Sequence, residues 1–361
     1  MPGILLKDAL NRDNNNLDIF RIIAATAVIV GHSYAISPLP GAQDLMERFL
    51  EFTYSGAYAV KIFFFLSGLV VTNSLLEKKN WFHFLVMRFF RLVPALFVTL
   101  LFSVLILGPL LTTIPLSSYF YSSETYLYII KNLIFKTTFE LPGVFTENPY
   151  SDVVNGSLWT LRWEVLCYLV LLAIFLLGAF KRRIFFIGFF LLLTVEVLLP
   201  ERVIFKILTN DPEVFYTPWC FAFGAVLISY KDEVYISGKN FLVAVLICLL
   251  LKDTVLFEIT FYLATFLGIL WISTLRFVRA LKPRSDISYG VYLYAFPIQQ
   301  TIVYFLGVQF GILPHILLAT AVTFMFGWVS WHVIEKPSMK FARNIQDAKF
   351  RSKLFSLKLQ N

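Results

Sequence analysis

IFRIIAATAVIVGHSYAIS, residues 19–37, decides the fold class. Arg21 and His32 interrupt an otherwise apolar run. About 20 such residues, coiled into a helix at about 1.5 Å each, reach across the roughly 30 Å hydrocarbon core of a bilayer. Nine more apolar runs follow, near 56–76, 92–111, 158–180, 184–200, 214–230, 240–252, 254–275, 287–306 and 311–334. The reading is therefore an all-α polytopic membrane protein of about ten spans. The seventh run is short; with the eighth it forms either a tight pair hinged at Lys252–Asp253 or a re-entrant element.

Composition agrees. The 361 residues are 58% hydrophobic and 15% charged, with 39 Phe, and the mean hydropathy is +0.74. A soluble domain is nearer 45–50% apolar and about 25% charged. Cys167, Cys220 and Cys248 each sit inside an apolar run with no CxxC, so they read as small packing residues, and nothing suggests a metal. The first run follows about twenty polar residues without a small-residue cleavage site, so it reads as a retained span.

An even number of spans puts both termini on one side. With the N-terminus in the cytoplasm, about 23 of the 31 lysines and arginines fall on the cytoplasmic side and about 8 outside. Topology thus accounts for the formal charge of +8, and nucleic-acid binding is not needed to explain it. The expected plan is a transmembrane domain over 1–340, a basic cytoplasmic tail over 341–361, and an exterior loop over about 112–157. In that loop Tyr119 to Phe139 suits an amphipathic helix along the interface.

Ionisable residues inside a span are costly, and each is a functional candidate. Arg21 and His32 are eleven positions apart, about 16 Å along a helix and nearly on one face. Asp18 shares that face and is a partner for Arg21. Ser67 and Gly68 allow close approach of a helix or of a donor molecule. Arg88 and Arg91, at i and i+3 before Pro94, stand at the mouth of a span, where guanidinium groups suit phosphate. Glu164 lies about two turns into the fourth span, and His32 is its attractive partner; Arg162 points elsewhere. Plain alternatives exist for each: Arg21, Arg88 and Arg91 as headgroup anchors, His32 as an interhelical hydrogen-bonder, Ser67 and Gly68 as packing. Asn155-Gly156-Ser157 matches a glycosylation sequon, a short pattern given little weight.

Taken in order, these segments resemble the membrane-bound acyltransferase-3 family, whose members O-acylate bacterial surface and secreted glycans. The matching stretches run from Leu17-Asp-Ile-Phe-Arg to Gly31-His-Ser, then Phe63-Phe-Phe-Leu-Ser-Gly, and Arg88-Phe-Phe-Arg-Leu-Val-Pro. Gly156-Ser-Leu-Trp-Thr-Leu-Arg-Trp-Glu, Ser288-Tyr-Gly-Val-Tyr-Leu-Tyr and Glu335-Lys-Pro follow, and the set covers nearly the whole chain. The resemblance implies His32 as catalytic histidine, Arg21 as essential arginine, Arg88 and Arg91 as coenzyme A contacts, and Glu164 as the acid of the Trp-rich motif. Two departures stand out. Leu69 replaces a common Phe, and Ala295 and Phe296 stand before Pro297, where many members carry a second histidine.

The resulting expectation is an O-acyltransferase of a bacterial inner membrane. Acetyl-CoA enters from the cytoplasm, its phosphates held by Arg88 and Arg91, with Arg21 a further candidate. Its thioester arm threads along the first span to His32, the general base on a hydroxyl of a glycan or lipid-linked sugar, with Glu164 orienting it. Direct attack and a covalent acyl-histidine both fit. The competing class is a transporter or flippase for a lipid-linked sugar, against which no inverted repeat or broken helix pair appears. A structural or sensory membrane protein, in which Arg21 and His32 would be freely replaceable, is the third.

Overall fold

The computed structural model describes residues 3–178, 183–199, 201–209 and 211–345. Lys181, Arg182 and the expected tail from 346 onward lie outside the described residues. The chain is helical almost throughout. The one strand pair among the described residues joins Ile4–Leu5 antiparallel to Tyr235–Ile236.

Five helices are long and apolar enough to cross a membrane: Leu17–Ile36, Ser55–Lys78, Trp81–Leu111, Gly156–Leu176 and Ile312–Ile345. This corrects the count of ten. Ile184–Leu198, Tyr216–Ser229, Gly238–Leu250 and Phe257–Ser273 hold 15, 14, 13 and 17 residues. At about 1.5 Å per residue they fall short of the roughly 30 Å core. Ser288–Leu306 has the length but dilutes its hydropathy with Gln299, Gln300 and four tyrosines. It is buried on every face from Ser288 to Gln300, as befits a core helix. Without an even span count, parity no longer places the two termini on one side.

The described chain forms two compact units. The first takes residues up to Gly31, Gln43–Leu76 and Trp163–Asp286; the second takes His32–Ala42, Glu77–Arg162 and residues from Ile287 on.

In the first unit, Ser55–Lys78 meets Tyr216–Ser229 backbone to backbone. A Cβ on Gly224 would lie 2.6 Å from the Phe65 carbonyl oxygen, and one on Gly68 would fall on the Phe221 carbonyl. Such contact between small residues is the usual glue of apolar helices. Around it Phe65 stacks on Phe266 at 4.1 Å, with Phe223 and Trp219 continuing the aromatic layer. Gly238–Leu250 packs on Phe257–Ser273 across a turn that contains Lys252 and Asp253. The polar run Asn14–Asn16 pins the entry to the first helix: Asn16 donates to the Val278 carbonyl at 2.7 Å, and Asn15 to those of Ala9 and Asn11.

In the second unit, Asn80 caps the Trp81–Leu111 helix by accepting from the His83 amide at 3.0 Å. The helix therefore starts eleven residues before the apolar run that predicted it and continues through Pro94 to a π-helical turn at Ser103–Leu107. Tyr119, from the exterior loop, donates to the Val104 carbonyl in that turn at 3.0 Å, over Gly108. The loop itself is helical at Leu116–Tyr121 and Ser123–Leu133. Ser288–Leu306 packs on Ile312–Ile345 through Gly290 and Gly327, where a Cβ on Gly327 would lie 2.9 Å from the Val291 amide. A second π-helical turn, Trp331–Glu335, interrupts that last helix.

Candidate active site

Four polar clusters sit on this apolar frame, two in each unit. The first surrounds His32, in the second unit. Its Nδ1 is buried with no hydrogen-bond partner among the described residues. Its ring meets Phe296 edge-on, with centroids 5.2 Å apart at 74°. Phe296 in turn contacts Tyr150 at 5.7 Å and fits over Gly156, where a Cβ would approach its ring to 2.6 Å. Ser33, next in the chain, accepts from Gln299 Nε2 at 2.7 Å. Gln300 donates to the carbonyls of Tyr150 and Val153 and accepts from Asn148. Asn155 caps the next helix through the Ser157 amide and donates to the Leu293 carbonyl at 2.9 Å. The sequon asparagine is thus a buried structural residue.

The second cluster, in the same unit, centres on Glu335, which is 1% exposed. It accepts from Arg91 at 3.2 Å and from Ser330 at 2.9 Å. The Arg91 guanidinium lies 5.6 Å from the Tyr289 ring, and Tyr289 donates to the Leu92 carbonyl. Arg88, one turn earlier on the same helix, is partly buried. Both arginines stand inside the helix, not at its mouth, because the Asn80 cap starts it early.

The third cluster, in the first unit, is an ion pair of Arg21 with Asp286 at 3.5 Å, side chains 21% and 14% exposed. Asp18, the partner expected for Arg21, pairs with the exposed Arg12 at 3.7 Å instead. The spacing of three residues permitted the local pair. A carboxylate about 265 residues away supplies the closer and less exposed partner, which spacing along one helix cannot reveal.

The fourth cluster, also in the first unit, holds Glu164. Its Oε1 accepts from the hydroxyl of Tyr168, one turn along its own helix, and from Ser67 Oγ at 3.4 Å. Ser67 and Tyr168 hydroxyls are 3.0 Å apart. A carboxylate in an apolar helix is thereby satisfied by two hydroxyls. Neighbouring Gly68 is spent on the backbone of Phe221. Gly31 serves in a similar way just before His32, since a Cβ there would lie 2.9 Å from the Tyr54 ring and closer still to the Gly56 backbone.

Sequence reasoning did not single out Asp286, Tyr168, Gln299 or the role of Glu335. Each carries a polar side chain in or beside an apolar helix, a signal applied to His32 and Glu164 but not carried through to these positions.

Comparison with known proteins fits this arrangement. A family profile described as an acyltransferase domain matches residues 14–332. An O-acetyl transferase of Shigella phage Sf6 is 29% identical over 346 residues, covering 90% of this chain and 95% of the relative. Nodulation protein 10 of Rhizobium leguminosarum bv. viciae is 25% identical over 386 aligned positions, covering 92% and 95%. No solved structure matches the chain.

Proposed function

The chain belongs to the membrane-bound acyltransferase family, and from that premise we propose that it transfers an acetyl group from acetyl-CoA to a hydroxyl of a cell-surface or secreted glycan at a bacterial inner membrane. One observation carries the assignment of the base: the buried, unpartnered Nδ1 of His32. A buried polar atom without a partner costs about 1–3 kcal/mol, and such atoms recur at reactive sites. An arriving hydroxyl relieves that cost.

In this reading His32 removes the hydroxyl proton as the oxygen attacks the thioester carbonyl. The new C–O bond forms, the C–S bond breaks, and the coenzyme A thiolate takes up the proton. Phe296 and the Ser33–Gln299 bond support the proposal by fixing the backbone and ring of that histidine. Glu164 is the acid that tunes the histidine, steadied by Tyr168 and Ser67. Gly68, beside Ser67, serves by letting the helix that bears them pack closely. Arg21, set by Asp286, and the pair Arg88 and Arg91 bind the donor's phosphates; the bond to Glu335 supports a fixed orientation for Arg91. Lys7, Arg12 and Arg21 before the first long helix, and Lys78 and Lys79 after the second, support a cytoplasmic N-terminus.

The test is labelled acetyl transfer by purified protein in detergent. His32→Ala is expected to lower turnover by about 100-fold or more, the usual worth of a general base. Arg21→Ala is expected to raise the acetyl-CoA concentration needed. Wild-type behaviour in both variants removes the assignment.

A further inference from the structure

A cavity of about 220 Å³ opens within the first unit, and its wall is almost wholly apolar. Trp163, Cys167, Leu171, Phe186, Ile204 and Ala222 contribute to it from four helical segments. An engineered apolar cavity of about 150 Å³ stays dry and binds benzene, so this one is too large for a packing fault and too apolar for water. Its walls include Leu192 and Leu208, each about half exposed (50% and 47%), on helices whose surroundings are hydrocarbon. At about 30 Å³ per water-sized volume it has room for about seven, which suits a segment of one chain and not two full chains.

The surroundings favour a chain with a phosphate head. The segment Val203–Leu208, which supplies Ile204, Phe205 and Leu208 to the wall, is preceded by Arg202. The Arg202 guanidinium lies 4.2 Å from the Phe215 ring, and that ring lies 5.5 Å from Phe205. No salt bridge engages Arg202 among the described residues. On another side, Phe221 of the wall contacts Tyr168 at 6.2 Å, and the Tyr168 hydroxyl holds Glu164. Trp163 of the wall is Glu164's neighbour in the chain.

We infer that this cavity seats the hydrocarbon chain of a single-chain lipid phosphate, the membrane anchor of the glycan acceptor, with Arg202 at its phosphate. The link to the acceptor rests on the acyl-transfer reading above; the lipid site itself does not. An anchor held here keeps the acceptor tethered close to Glu164 while it is modified.

The experiment uses the full chain in phosphatidylcholine nanodiscs, with farnesyl phosphate, farnesol and phosphatidylglycerol as probes, read by native mass spectrometry and by tryptophan fluorescence. Farnesyl phosphate is expected to bind one per chain. Ala222→Trp, which fills the cavity, should weaken it about tenfold or more, and Arg202→Gln should weaken farnesyl phosphate while sparing farnesol. Ala225→Leu, a milder filling change, should act in the same direction and decides the matter if Ala222→Trp fails to fold. Unchanged binding in a folded filling variant overturns the inference. Displacement of farnesyl phosphate by an equal amount of phosphatidylglycerol also overturns it, since the cavity then takes bulk lipid. A wild-type protein that binds farnesyl phosphate yet acetylates no soluble glycan upholds the lipid site and overturns the enzymatic reading. One that acetylates glycan but binds no farnesyl phosphate does the reverse.

Discussion

Consider removing the Arg91–Glu335 pair one partner at a time and then together, as Arg91→Met, Glu335→Gln and the double variant. The pair is 3.2 Å apart, with Glu335 1% and Arg91 16% exposed, so each single change leaves a charge with little water to replace its partner. Breaking such a pair typically costs about 3–5 kcal/mol, whereas replacing both partners with neutral groups of similar size is often close to neutral. Ser330 still donates to the Gln variant, which places Glu335→Gln at the lower end of that range. The double variant should therefore be more stable than the sum of the singles by about 2 kcal/mol or more. In a chain of this size that corresponds to apparent unfolding midpoints on the order of 5 °C lower for each single variant, with the double variant recovering much of the loss. Detergent-solubilised unfolding is often irreversible, so the four proteins are to be compared at one scan rate. Additivity within about 0.5 kcal/mol would refute the claim that these two charges support each other.

Tyr168→Phe removes the hydroxyl that donates to Glu164 and nothing else from its surroundings. A bond to an ionised group is worth about 1.5–3 kcal/mol, so acetyl turnover should fall about tenfold or more while the solubilised protein keeps its elution profile. Gly224→Ala sets a methyl 2.6 Å from the Phe65 carbonyl, and no rotamer relieves that clash; the folded yield in membranes should collapse, as measured by size-exclusion of a fluorescent fusion. At the N-terminus, Lys7 and Asp232 are bonded across an exposed surface, which raises the Lys7 amine and lowers the Asp232 carboxyl from their ordinary values. The carboxyl's contribution is present above the unfolded carboxylate range and fades as pH falls through its folded value; the amine's is present below the unfolded lysine range and fades as pH rises through its folded value. Hydrogen exchange at the Leu6 amide, bonded to the Val234 carbonyl, should report freer opening at both extremes than at neutral pH, after correction for the intrinsic rate.

The all-helical membrane character was legible because it depends on composition and run length, which a sequence displays directly. The count of spans was not. Apolar runs near 184–200 and 240–252 look alike in a hydropathy reading, but caps and turns trim the actual helices to 15 and 13 residues. Ser288–Leu306 shows the opposite case: its polar content reflects burial within the protein, where Gln299 and Gln300 find bonding partners. Among candidate site residues, each ionisable group on an apolar helix was visible, while its partner was not. Arg21 and Asp286, or Arg91 and Glu335, lie more than 240 positions apart, beyond the reach of any local spacing rule.

The π-helical turn at Trp331–Glu335 has a further meaning for how this chain tolerates insertion and loss. Such a turn is an α-helix carrying one surplus residue, and it is kept only where the bulge serves something. Excising a single position here, for example the outward-facing Val333, lets the helix relax to a regular winding and rotates all that follows by roughly 100°. Glu335 would leave the Arg91 side of the helix though no chemical group of the pair had changed. The ion pair is therefore guarded by an indel-sensitive phase as much as by the identity of its two charges.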